Sequence, residues 1–178
     1  MHRRTKVSRT DIIDSYRDRF IFVDDQTEVL PGVFVCRIND PCEKFFCKDR
    51  SLKRLNKQKL LPDDFSHEIY MAVIEEGDCT IISSCSHNGI INIINDAQRR
   101  FPNARDTSFV GGLHMRGRRS DKLNCSKKYA QSVFLMVENY GLKKLHTGHC
   151  TGTKAYGLLK MHSQINAYYY STGDTFIL

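Results

Sequence analysis

The chain has 178 residues, of which 40% are hydrophobic, 26% charged and 10% aromatic, and a formal charge of +7. That length suffices for one domain with its own core, and the composition excludes a disordered or collagenous chain. Seven cysteines, an odd count without a Cys-x-x-Cys pair, argue against a disulfide framework and for a reducing, cytoplasmic setting.

The N-terminus lacks the apolar stretch of a secretory leader. No uncharged apolar run approaches the roughly 18 residues of a membrane helix, so no membrane partner is expected. Basic residues gather at 48–59 and at 116–119, but acids such as Asp49 and Asp121 interrupt them, as on a solvated face. Nucleic acid is the alternative partner for this charge. It would call for a recognition helix or a stacking platform, and the sequence offers neither.

Residues 1–28 are polar and charged apart from a short apolar patch at 20–23, and read as a leader or the truncated edge of something larger; the domain proper is taken as 29–178. LPGVFVCRI (30–38) reads as a turn at Pro31-Gly32 followed by a strand, and the Lys/Arg-rich stretch to Lys59 as an exposed excursion closed by residues 60–64. IYMAVIEEGDCTIISS (69–84) is a hairpin turning at Glu76-Gly77-Asp78. In 89–101, Ile90, Ile93, Ile94 and Ala97 recur at helical spacing, with Pro102 as a stop. TSFVGG (107–112) is a short strand ending at a glycine pair. The clearest helix is 126–141, with Ser126 as N-cap, Ala130, Val133, Phe134 and Val137 on one face, and Gly141 as C-cap. A strand at 142–148 and a weaker helix at 151–165 follow, then two strands around Thr172-Gly173-Asp174. Strand and helix alternate, which predicts an α/β layered domain.

Three histidines share one structural address. His87, His114 and His149 each lie just past a predicted strand, and two of them immediately precede a helix. Loops at strand ends converge on one rim of an α/β sheet, and imidazoles there suit zinc or iron. Cys85 and Cys150 flank two of these histidines, with roles as ligands or as small packing residues both open. His67, among Asp63, Asp64 and Glu68, is read as either a ligand or a capping residue. His2, His146 and His162 have no supporting context. The helix starts behind His87 and His149 would also aim N–H groups at the rim, which suits a small anionic substrate.

The ordered motifs DDFSHE (63–68), SSCSHNGIINII (83–94), FVGGLHM (109–115), TGHCTG (147–152) and the terminal YYYSTGDTFIL resemble a branch of the metallo-β-lactamase superfamily that includes dihydropterin ribofuranosylaminobenzene-phosphate synthases. The resemblance spans about residues 28–178. It implies an αββα sandwich with a metal site at one edge, of which this chain is the C-terminal half. It further implies His149 as the late histidine ligand, Cys85 and His87 at the strand-end acidic or thiolate position, His67 at the middle position, and His114 as a branch-specific histidine. The metal set is therefore His67, His87, His114 and His149, holding one or two divalent ions, zinc first, with iron or manganese as alternatives.

The superfamily's His-x-His-x-Asp-His signature is absent, and only His2 precedes His67. The expected function is thus a metal-dependent hydrolase of phosphoesters or related anions, incomplete as it stands and partnered by a separate N-terminal half or by its own copy. The alternatives are a catalytically inactive fragment or binding module and, behind it, a basic nucleic-acid-binding protein.

Overall fold

A computed structural model describes residues 14–49, 51–117 and 122–177. Seven strands form one mixed sheet: β1 (Gln26–Leu30), β2 (Val33–Arg37), β5 (Ile69–Glu75), β6 (Asp78–Ile82), β7 (Thr107–Val110), β8 (Lys144–Gly148) and β9 (Ala167–Tyr170), in that spatial order. The first four are antiparallel and the last three run parallel to β6. Two further strands, β3 (Lys53–Asn56) and β4 (Lys59–Pro62), make a separate two-stranded ribbon whose residues are all exposed. The predicted excursion is therefore a ribbon, turned by Lys57 and Gln58 with positive φ of 41° and 68°.

Pairing register explains the layering. Phe34, Ala72, Ile81, Phe109, Leu145 and Ala167 stand opposite one another across six strands, so the alternation of side chains puts them on one face. All but Phe34 are buried, and α1 (Ile90–Arg100), α2 (Lys127–Asn139) and α3 (Gly152–His162) pack on that face in a single core. Phe109 is fully buried, and its truncation to Ala costs about 3–5 kcal/mol. Helix α2 starts where expected, with the Ser126 hydroxyl accepting from the Tyr129 N–H at 3.1 Å, and ends before Gly141 at φ 67°. Helix α1 is tied to the sheet by its buried Asp96, which accepts from the Tyr70 hydroxyl at 2.8 Å and from Arg100 Nε at 2.7 Å. Arg100 in turn reaches Asp25 at 2.7 Å, ahead of β1, so the sheet edge takes in the end of the stretch read as a leader.

The next row belongs to the other face: Val35, Met71, Ile82, Val110, His146 and Tyr168. Except for His146 these are partly or largely exposed, with Tyr168 at 46%. The second strand expected after Thr172 does not form. Residues 171–177 are irregular, and Phe176 instead lies on the His146 ring at 4.2 Å between centroids, with Tyr168 on the ring as well at 4.9 Å. Among the described residues no helix is long and apolar enough to cross a membrane. Residues 1–13 of the leader, Arg118 and Arg119 of the second basic cluster, and Leu178 lie outside the described residues.

A half-exposed apolar sheet face with edge strands favours association. Sedimentation of the purified chain is expected to show oligomers or aggregates, reduced by Val35→Glu with Val110→Glu. A monodisperse parent monomer with a cooperative melt would mean that the face is covered.

Candidate metal centre

Strands β6, β7 and β8 are parallel neighbours, so the chain leaves all three at the same sheet edge. That places residues 83–88, 111–116 and 149–151 side by side. Hydrogen bonds fasten the loops together: Gly112 N donates to Ser84 O at 2.8 Å, Leu113 N to Thr151 Oγ1 at 2.8 Å, and Arg116 N to Cys150 O at 2.9 Å. Buried Thr147 donates to Gly111 O at 2.8 Å and meets Thr151 Oγ1 at 2.6 Å. Glycine is required at two points. A Cβ at Gly89, at φ 88°, would run into the Phe45 carbonyl, and one at Gly112 would run into the Cys150 sulfur.

Each loop holds one non-glycine residue in the left-handed region: Ser86 at φ 54°, His114 at 45° and His149 at 47°. Such conformations cost on the order of 1–3 kcal/mol each and collect at functional sites. In this chain two of the three are the histidines themselves.

His87 and His114 converge, with Nε2 of the first 3.1 Å from Nδ1 of the second. Behind each ring stands a carboxylate: Glu68 Oε1 lies 3.8 Å from His87 Nδ1, and Asp49 Oδ2 lies 3.6 Å from His114 Nε2. A carboxylate behind an imidazole fixes its orientation and raises its basicity as a metal ligand. Glu68 is 8% exposed, and it also accepts the backbone N–H groups of His87 at 2.6 Å and Asn88 at 2.7 Å. Phe65 packs on the outer side of His87, with ring centroids 5.1 Å apart.

Cys85 joins this pair: its sulfur and the facing nitrogens of His87 and His114 lie within 4.8 Å of one another. Cys85, His149 and Cys150 satisfy the same limit, with His149 exposed. Hydrogen bonds from Cys150, His114 and His87 hold the Cys85 thiol far below its ordinary pKa, against the effect of burial. The same contact with Cys85, together with burial, pushes the Cys150 thiol up. Cys85 also raises His87, which burial opposes and Glu68 reinforces. Burial works against ionisation of Asp49, but hydrogen bonds from Ser51, and then the nearby His114 imidazole, hold its carboxyl low.

Of the four histidines singled out in the sequence, His87, His114 and His149 therefore sit at one rim. His67 is placed elsewhere: its side chain is 69% exposed, and Nδ1 lies 3.9 Å from Asp63. His146, left without a role, is buried between aromatic rings, and burial lowers its pKa. Sequence reasoning missed Asp49 and the clamp by Glu68. Asp49 lies within a basic run, and it reaches the site because Cys47 N donates to His87 O at 2.8 Å. The spacing Glu68-x18-His87 carries no local signal. Imidazoles, a low-pKa thiol and orienting carboxylates together fit a divalent ion of the zinc class.

No protein-family model matches the chain. Its fold is that of the metallo-β-lactamase superfamily: a solved metal-dependent hydrolase of the β-lactamase superfamily superposes with a TM-score of 0.74 and 21% identity, over 89% of this chain and 58% of that one. In sequence the chain is similar to a 7,8-dihydropterin-6-methyl-4-(β-D-ribofuranosyl)-aminobenzene-5'-phosphate synthase of Methanocaldococcus jannaschii, 25% identical over 146 residues, or 80% of this chain. It spans about half of that relative, 47%.

Replacing Glu68 by Ala strands two backbone N–H groups, which is expected to cost about 1–3 kcal/mol in denaturant unfolding. It should also weaken zinc binding on the order of 10–100-fold, as loss of an orienting carboxylate does. In calorimetric titration His87→Ala and His149→Ala are expected to reduce affinity while His162→Ala does not. Parent affinity in both of the first two variants would rule out this rim as the metal centre.

Proposed function

We propose that this chain carries part of the active site of a divalent-metal-dependent hydrolase acting on a small anionic substrate such as a phosphoester. The observation that carries the reading is the convergence of His87 and His114, 3.1 Å apart, each backed by a carboxylate. Ordinary surface histidines have no reason to be oriented in this way. His149 on the neighbouring loop adds a third imidazole to the rim. A divalent ion held there supplies Lewis acidity toward substrate oxygens and lowers the pKa of water.

The chain's own residues do the rest. Helix α1 begins at Ile90 and α3 at Gly152, directly behind two of the loops, so both N-termini point positive dipole ends at the rim and favour a phosphate or carboxylate. Zinc is the metal that imidazole and thiol donors favour, ahead of manganese. The seven free thiols suit a cytoplasmic setting.

The reading includes incompleteness. The sequence has no His-x-His-x-Asp-His segment, and a catalytic zinc site uses about three well-fixed protein ligands plus an open position. A complementary half bearing that segment, laid on the exposed face of Val35, Met71, Ile82 and Val110, would complete both the site and the sandwich. Assembly with a second copy is the competing arrangement. Without either, the chain is a metal-binding module with little or no turnover, because a reacting group misplaced by about 1 Å loses on the order of 100-fold in rate.

The test is hydrolysis of bis(p-nitrophenyl) phosphate in the presence of zinc. The chain alone is expected to be inactive, and a segment carrying His-x-His-x-Asp-His, fused or added in trans, is expected to restore chelator-sensitive turnover. Turnover by the chain alone that is lost in His149→Ala would overturn the incompleteness. Persistent inactivity with the segment bound would overturn the hydrolase reading.

A further inference from the structure

A cleft of about 370 Å³ opens between the two-stranded ribbon and the imidazole pair. Its outer wall is the foot of the ribbon, Leu52, Lys53 and Pro62, closed where Asp63 N donates to Leu52 O at 3.3 Å. Its inner wall is Phe46 and Phe65, whose rings meet edge to face, 5.6 Å between centroids and at 74°. Cys47, Asp49 and Asp63 complete the lining. Asp49 is also the carboxylate behind His114, and Phe65 the ring against His87, so the cleft abuts both imidazoles.

Phe65 is held where a bulky residue rarely sits. Its φ is 52°, in the left-handed region, an outlier for a side chain of this size. Three hydrogen bonds fix it: its N–H donates to Asp63 Oδ1 at 2.9 Å, and its carbonyl accepts from Glu68 N at 2.9 Å and Asn88 Nδ2 at 3.0 Å. Neither Phe65 nor Phe46 belongs to the continuous core, so core packing does not account for the strain. Strain that the surroundings enforce in this way collects at ligand clamps and active sites.

The cleft's chemistry narrows its occupant. Its volume lies at the small end of the range for ligand pockets, about 300–1,000 Å³, which admits one or two rings. Paired aromatic side chains favour a further ring, stacked with an offset or met edge-on. Two carboxylates stand against one lysine in the lining, so a second anionic group is disfavoured there. A phosphate belongs at the imidazole end, and the group in the cleft is neutral.

We infer that the cleft seats the organic portion of the substrate, and that this portion is a neutral, flat aromatic group of one or two rings. The inference rests on the hydrolase reading for the anionic end and adds the class of group the phosphate is attached to. It gives the ribbon a role as the wall that selects this group. Phe65 becomes the residue that joins the ring site to the imidazole pair.

The experiment follows the fluorescence anisotropy of 1-naphthol and of 1-naphthyl phosphate titrated with the full chain, which has no tryptophan to mask naphthyl emission. Naphthol is expected to bind with or without Zn²⁺, cyclohexanol should not compete with it, and Zn²⁺ should tighten naphthyl phosphate alone. Phe46→Ala should weaken naphthol by about tenfold or more, since even one methylene missing from an apolar pocket costs that much. Leu52→Trp, at the foot of the ribbon, should fill the cleft and abolish binding. Because a variant can fail to fold, the parent chain supplies a second readout. Naphthol should slow acetylation of Lys53 and leave Lys57 and Lys59 unchanged, as followed by peptide mass spectrometry. Undiminished naphthol binding in both variants, without protection of Lys53, would overturn the ring site, and equal competition by cyclohexanol would overturn the aromatic preference. Naphthol seated in the cleft while Zn²⁺ leaves naphthyl phosphate unaffected would overturn the hydrolase reading and keep the ring site.

Discussion

A single buried carboxylate sets the geometry on which the rim depends. Glu68 reaches across from the start of β5 and takes the N–H groups of His87 and Asn88, one on each oxygen, while Oε1 also faces the His87 ring. The loop after β6 has almost no regular structure to hold it, and it contains a left-handed residue, Ser86. Charge-assisted hydrogen bonds in a nearly dry pocket are among the few interactions strong enough to keep such a turn in one conformation. Asn88 reinforces them by donating its side-chain amide to Glu68 at 2.9 Å and to the Phe65 carbonyl at 3.0 Å. The orientation of His87 is thus inherited from the segment before β5.

The sheet supplies the other constraint. Its antiparallel half can be built from a hairpin, but parallel pairing of β6, β7 and β8 requires a helix between each pair of strands, and right-handed crossovers bring α1 and α2 to the same face. The core then forms on that face alone. The loops leaving the parallel strands have no choice of direction, so His87, His114 and His149 meet although 27 and 35 residues separate them in sequence. The opposite face keeps a row of Val, Met and Ile partly in water, an arrangement that sandwich architectures resolve by packing a second sheet onto it.

Charge is unevenly distributed around that edge. The cluster's contacts shift its groups in opposite directions: Cys85 is lowered, while Cys150 and His87 are raised. A divalent cation would need the thiol and imidazole donors in their deprotonated forms. The +7 charge of the chain plays no visible part here. Its basic run at 48–59 lies largely on the exposed ribbon, and only Asp49 from that stretch turns inward to His114.

The sequence by itself determined those features that depend on near neighbours in the chain. The hairpin at Glu76-Gly77 forms because Gly77 takes a φ of 87° without strain and tolerates Glu76 at 50° beside it; α2 starts at Ser126 because its hydroxyl satisfies an end N–H; and strand-end placement of three histidines was readable from the predicted strands. Tertiary structure decided what depends on distance through space. It withheld a second terminal strand, and Phe176 lies stacked on the buried His146 ring instead. It left His67 in solvent beside Asp63, while Glu68, the next residue, points inward and becomes the clamp. It also brought Asp49 out of a basic run to stand behind His114. Phe176 and His146, Glu68 and His87, and Asp49 and His114 are each separated by 19 residues or more in sequence. Pairing strands and closing a core costs entropy over tens of residues, and only the assembled sheet determines which side chains then share a few ångströms.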